Sequence, residues 1–199
     1  MKNRILAYAA LVLGILEVVL VTASWIFSVL LPGSGIRSML GGEGIRWFFG
    51  GFADMLAGPV LVWILLVSTA AGCFRGSGLG RALRSVGRLR YRERIAIRLV
   101  GMLMVVYAAA FALLSFIPHA VLRSVSGSLF PSPFSSSAVP VCAFGVVFLS
   151  VVYGIVSARF RSIVDVYKSM CAGIGMSAPF FLFYILIVQL YNSVMFVFA

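Results

Sequence analysis

Acidic residues are scarce in this chain. Five Asp and Glu stand against 16 Lys and Arg in 199 residues, and charged residues of both signs make up only 11%. There is one histidine, His119, and there are three cysteines, Cys73, Cys142 and Cys171. These shortages exclude a good deal. No Ser-His-Asp set, paired-carboxylate motif or Cys-His set is present, so an enzyme has little support. The cysteines sit singly in or beside apolar segments, with no CxxC or His-Cys spacing. That argues against a metal site and a disulfide framework, and no cofactor is expected. The isolated His119, just after Pro118, reads as a residue of the membrane interface.

What the chain has in abundance is apolar surface: 62% of its residues are hydrophobic, gathered in five long stretches. A soluble domain of this length would have no core large enough to hide them. A bilayer removes the difficulty, because lipid tails accept apolar side chains on every face of a helix. The expected fold is therefore all-α: a polytopic integral membrane protein with about five transmembrane helices, forming one domain over residues 1–199.

The spans are expected at about 5–31, 57–74, 95–117, 139–157 and 174–198. The first apolar run is too long for the h-region of a cleavable signal and reads as a spanning helix. Before span two, Arg46 and Asp54 flank Trp47, Phe48, Phe49 and Phe52. This mixed segment reads as an interfacial or half-inserted helix with Trp47 as an aromatic-belt residue. Gly58-Pro59 then breaks the path, since proline lacks an N–H and clashes with the preceding turn. Pro140 stands near the first turn of span four, a tolerated place, and Pro179 predicts a kink in span five.

The net charge of +11 would suggest nucleic acid in a soluble protein. Here the positive charge is confined to connectors, and no basic, aromatic-interleaved soluble module exists to read a nucleic acid. The positive-inside rule explains it better. With the N-terminus inside, 13 of the 16 cationic residues fall on the cytoplasmic side: Lys2, Arg4, eight arginines between 75 and 98, Arg159, Arg161 and Lys168. Only Arg37, Arg46 and Arg123 fall outside. The expected topology is N-in, C-out, in the inner (plasma) membrane.

Candidate functional residues are the polar groups that lipid makes expensive. Glu17 lies near the middle of span one, where an ionised carboxylate costs at least about 2.5 kcal/mol unless paired or hydrated. It is either an ion or proton site, or a carboxyl facing a bundle cavity, protonated or bonded to a neighbouring hydroxyl. Asp54 precedes the Gly58-Pro59 break, and broken helices line substrate sites in transporters; an interfacial carboxylate touching water is the alternative. Gln189 and Asn192, three apart, share a face of span five and are expected either to bond another helix or to hold a ligand. Thr22, Ser24 and Ser68 read as backbone or interhelical bonders. In the cationic connector, Arg81, Arg84, Arg88 and Arg90 are candidates for anionic lipid headgroups, at about 1 kcal/mol per residue near the surface; a role in topology alone also accounts for them. Gly76-Ser-Gly78-Leu-Gly80 lacks the strand and the Gly-Lys-Ser/Thr of a phosphate loop, and reads as a flexible exit from span two. Small-xxx-small pairs at Ala10/Gly14, Gly72/Gly76 and Gly154/Ala158 permit close helix approach, within the bundle or between protomers.

Several stretches resemble the AbgT family of p-aminobenzoyl-glutamate transporters. Gly42-Glu-Gly-Ile-Arg-Trp47 resembles the family's Glu-Gly-Leu-Arg-Trp ahead of a span. The run from Gly58-Pro59 to Arg75-Gly-Ser-Gly-Leu79 is similar to its second span and Ser-Gly-Leu exit, and Ser132-Pro-Phe134 to its lead-in to a later span. Tyr153-Gly154 followed by Ser162 to Val166, with Asp165, and then Met170 resembles its Tyr-Gly and Ser-x-x-Asp-Val joint; Gln189 falls where the family carries Ala-Gln-Phe. The resemblance implies an elevator-type architecture with inverted repeats and two re-entrant hairpins, and substrates such as aminobenzoyl-glutamate-like anions or sulfonamide-type drugs. This chain is shorter. The Gly-Gly-Phe-Ser-Ala-Asn signature of the first hairpin module is missing, and the chain ends where the second would begin, so no substrate residue is carried over.

Two functions are therefore expected. One is a transporter-derived scaffold or accessory subunit that forms a homo-oligomer (a dimer) or docks a partner membrane protein. The other is a minimal oligomeric secondary transporter, with Glu17 and Asp54 coupling to protons or Na⁺. The topology is testable directly. A phosphatase that matures only outside the cytoplasm is expected to be active when fused after Leu40 or at the C-terminus, and inactive when fused after Gly87. The opposite pattern rejects the N-in orientation.

Overall fold

The computed structural model describes residues 2–31, 33, 35–84, 90–116 and 133–198. Among the described residues every regular element is an α-helix: α1 (Lys2–Leu30), α2 (Gly42–Leu56), α3 (Pro59–Ser77), α4 (Leu79–Arg84), α5 (Tyr91–Phe116), α6 (Pro133–Val156) and α7 (Ile163–Phe198). Five of these supply candidate membrane spans: Arg4–Leu30, Pro59–Ser77, Tyr91–Leu113, Ser137–Val156 and Ile163–Phe198. Pro32, Arg88, His119 and Ser132 lie outside the described residues.

Helix starts follow from local chemistry. Pro59 and Pro133 open α3 and α6 at the first helical position, where a missing N–H costs nothing and φ is already helical. Gly58-Pro59 is thus the joint between α2 and α3. Pro140, expected in the first turn of span four, instead sits inside α6, because that helix begins back at Pro133.

Both α5 and α7 begin earlier than the apolar runs indicate, and both for the same reason. A carboxylate three residues into each helix accepts from the backbone just before it. Glu93 Oε2 takes Arg90 N at 3.2 Å. Asp165 Oδ2 takes Arg161 N at 2.9 Å and Ser162 N at 3.2 Å. These are capping contacts that satisfy orphan donors at a helix start. Asp165 and Lys168, which precede the apolar run expected at 174–198, therefore form the first turns of α7. At 36 residues α7 is about 54 Å long, against a hydrocarbon core of about 30 Å.

The chain forms two compact units, residues 1–62 with 178–199, and residues 63–177. In the first, Met39, Phe196 and Val197 make a buried cluster against which Leu20, Val21 and Trp47 pack. The Trp47 ring stacks on Phe196 at 4.4 Å between centroids, so it packs within the protein. Ser24 Oγ accepts from Met39 N at 3.2 Å, and Arg37 N donates to Val197 O at 3.1 Å, giving a carbonyl in the last turn of α7 a partner.

In the second unit, Leu79, Ala82, Ala96, Val100 and Tyr153 form the core. Gly78 takes φ +76°, the left-handed region open to glycine, and reverses the chain between α3 and α4. Ser77, fully buried, donates to Phe74 O at 3.1 Å and accepts from Leu79 N at 3.3 Å. The glycine-rich segment expected to be a flexible exit is therefore a tight, hydrogen-bonded turn.

Beside it, α3 and α7 come into backbone contact. A Cβ on Gly72 would lie 2.7 Å from the Cα of Gly173, and one on Gly173 would lie 2.7 Å from the Cα of Gly72. A Cβ on Gly76 would collide with the Ser169 side chain. In lipid, where apolar burial gives helices no net attraction, such close packing is a main source of association. Gly72→Leu or Gly173→Leu should therefore lower the melting temperature in detergent, with a loss of at least about 1–3 kcal/mol. Gly175→Leu, whose Cβ meets open space, should leave it nearly unchanged. Equal effects at all three positions would contradict the contact.

Candidate functional site

Buried polar groups converge in the first unit where α1 meets α7. The residues of α7 at 189, 193, 196 and 197 are all buried, while 187, 191, 194 and 195 are exposed, a 3.6-residue alternation that gives this end of the helix one inner face. Gln189 and Ser193, four apart, lie one turn above each other on that face. Gln189 is 7% exposed and Ser193 is fully buried.

Glu17 of α1 meets them. Ser193 Oγ donates to Glu17 Oε1 at 2.5 Å. Gln189 Nε2 in turn donates to Ser193 Oγ at 3.4 Å. The hydroxyl is thus the hinge of a directional chain, amide to hydroxyl to carboxylate, and each donor points toward the acid.

Two oxygens remain over. Glu17 Oε2 and Gln189 Oε1 are buried and have no hydrogen-bond partner among the described residues. Buried acceptors without partners are rare in proteins, and each calls for a physical explanation. A proton on Oε2 would neutralise the carboxylate and supply a donor. A small hard cation would instead take oxygen ligands of this kind. Among the described residues no group of three His, Cys, Asp or Glu gathers.

The other candidate residues stand apart. Asn192 Nδ2 donates to Val188 O of its own helix at 2.9 Å and does not join Glu17. Asp54 is exposed, in the last turn of α2. Near the joint that follows, Tyr184 Oη donates to Leu56 O at 3.1 Å, closing α2. Arg81, Arg84 and Arg90 are exposed, Arg81 and Arg84 on α4 and Arg90 just ahead of α5; Arg88 lies outside the described residues. Ser193 was not singled out by the sequence. Its only signal was the four-residue spacing from Gln189, which places both on one face.

This geometry separates neighbouring residues by consequence. Ser193→Ala should strand the Glu17 carboxylate and the Gln189 amide together, at a cost of about 1–3 kcal/mol. Asn192→Ala removes a bond made only within its own helix and should cost about 0.5 kcal/mol or less. Equilibrium unfolding in mixed micelles reads both. Equal losses would show that no cluster forms at Ser193.

The model of the AbgT putative transporter family matches residues 45–197. Neither a curated protein nor a solved structure matches the chain. Gln189 and Ser193 fall inside the matched stretch, whereas Glu17 precedes it. The match takes in most of the sequence and four of the five candidate spans, and on that basis this multi-pass membrane protein belongs to the AbgT transporter family.

Proposed function

We propose that the chain is a transporter-type protein of the inner (plasma) membrane in which Glu17, held by Ser193 and through it by Gln189, takes up the coupling ion of a secondary transporter. The observation that carries this reading is the pair of buried oxygens, Glu17 Oε2 and Gln189 Oε1, left without partners. Binding a proton or Na⁺ there removes an intramembrane charge that costs at least about 2.5 kcal/mol. The ion site in this reading is built without Asp54, which is exposed on α2. The family relationship supports transport over catalysis, and supports aminobenzoyl-glutamate-like anions or sulfonamide-type drugs as the cargo to try first.

A second reading has its own support. The apolar window of α1 has none of its residues buried. Ile5, Tyr8, Val18 and Leu30, spread along its length, are each more than 60% exposed. A helix so bare fits a chain that forms a homodimer or docks a partner membrane protein, acting as a transporter-derived scaffold.

Flux into proteoliposomes distinguishes the two. Under the first reading the purified protein takes up or extrudes substrate saturably, driven by a proton or Na⁺ gradient. Glu17→Gln then weakens the coupling on the order of tenfold, the factor that corresponds to 1.4 kcal/mol of lost ion binding. Flux that persists unchanged in Glu17→Gln overturns the ion site. If no gradient drives saturable flux, the scaffold reading stands, and native mass spectrometry of the gently extracted protein should show a stoichiometric companion or a dimer.

A further inference from the structure

Two grooves on the second unit meet at the end of α3. One, of about 580 Å³, is lined by Arg75 in the last turn of α3 and by Arg81 and Arg84 of α4, with Gly78 and Gly80 at the turn between them. None of the described residues lining it is acidic. The other, of about 620 Å³, is almost wholly apolar and runs between α3 and α6, past Val67, Cys142, Ala143 and Val146. Ala71 and Phe74 line both. A strongly basic pocket at the end of a membrane span thus opens onto a greasy channel along the same span.

From this juxtaposition we infer a binding site for an anionic glycerophospholipid. Its phosphate sits among Arg75, Arg81 and Arg84, and one acyl chain lies along Ala71 and Phe74 between α3 and α6. Charge argues for the headgroup, since guanidinium groups match phosphate oxygens in pairs. The adjoining apolar groove argues for a lipid over a soluble anion, because a free phosphate has nothing to place there. The turn that positions the arginines is well determined: Gly78 N donates to Arg75 O at 3.2 Å, and Arg81 N and Ala82 N both donate to Gly78 O. Arg159 packs its guanidinium over Gly78, adding a further positive charge behind the turn.

This site is independent of Glu17 and survives the failure of any transport reading. Its test uses the full-length protein, purified and exchanged into detergent with defined lipid. Native mass spectrometry then counts retained phosphatidylglycerol against phosphatidylethanolamine of the same chains. The wild type should retain phosphatidylglycerol preferentially. Arg75→Gln combined with Arg84→Gln should weaken retention roughly thirtyfold, two arginines' share of surface attraction. Arg92→Gln combined with Arg98→Gln removes the same charge from α5 and should have little effect. Ala71→Phe, at an exposed position that would obstruct both grooves, should also reduce retention, while melting temperatures in lipid-free detergent confirm that each variant folds. Inorganic phosphate at millimolar concentration should not compete. Unchanged retention in the Arg75/Arg84 variant overturns the site, and so does an equal loss in the Arg92/Arg98 control. Displacement by inorganic phosphate, or indifference to Ala71→Phe, would show an anion site with no acyl groove and overturn the lipid assignment.

Discussion

In hydrocarbon there is no water to bond a stray donor, and this constraint shapes the whole molecule. Backbone groups are paired within helices. Several serine and threonine hydroxyls follow the same rule. Thr22 returns its proton to Val18 O and Val19 O, Ser28 to Trp25 O, Ser68 to Ile64 O, Thr69 to Leu66 O and Ser77 to Phe74 O. Each satisfies itself on its own helix and asks nothing of its neighbours. Ser193 departs from the pattern: its proton goes across to α1, to the one carboxylate embedded in that helix. Tyr107 and Tyr184 also reach across, to Val141 O and Leu56 O, but those acceptors are backbone carbonyls, whereas Ser193 serves a carboxylate.

Elsewhere the helices are held by shape. Gly72 and Gly173 bring two backbones together. Tyr107 of α5 lies against Gly145 of α6, where a Cβ would meet its ring, and its hydroxyl donates to Val141 O at 2.7 Å. Small residues on one helix receive large ones or backbone from the next, which maximises dispersion contacts where the hydrophobic effect contributes little. The polar cluster and the packed crossings therefore serve different purposes and fall in different parts of the chain.

Much of this was legible in the sequence and some of it was not, for definite reasons. Five apolar runs fix five spans because length and hydropathy are local properties. The starts of α5 and α7 were misplaced because apolarity marks the membrane and not the helix; the better sign at α7 was the Ser162-x-x-Asp165 spacing, which is a helix start in its own right. Gly72 and Gly76 announced a close approach, but their partners Gly173 and Ser169 lie about a hundred residues away, where no local pattern points. The mid-span Glu17 was visible as an expensive charge, and its alternative reading, a carboxyl bonded to a neighbouring hydroxyl, describes its contact with Ser193. Gln189 and Asn192 are three apart, but the hydrogen bond from Gln189 goes to Ser193, since the four-residue step keeps to the buried face while Asn192 bonds within its own helix.

The link between Glu17 and Ser193 also bears on how the protein is made. The two residues are 176 positions apart, one in α1 and the other in α7. At about 5–20 residues per second, roughly 10–35 s separate their synthesis. For that interval the first helix holds an acid whose partner has not yet been translated. Until α7 arrives, the acid must find its hydrogen-bond donors elsewhere. Assembly of this part of the molecule accordingly waits until α7 has been made.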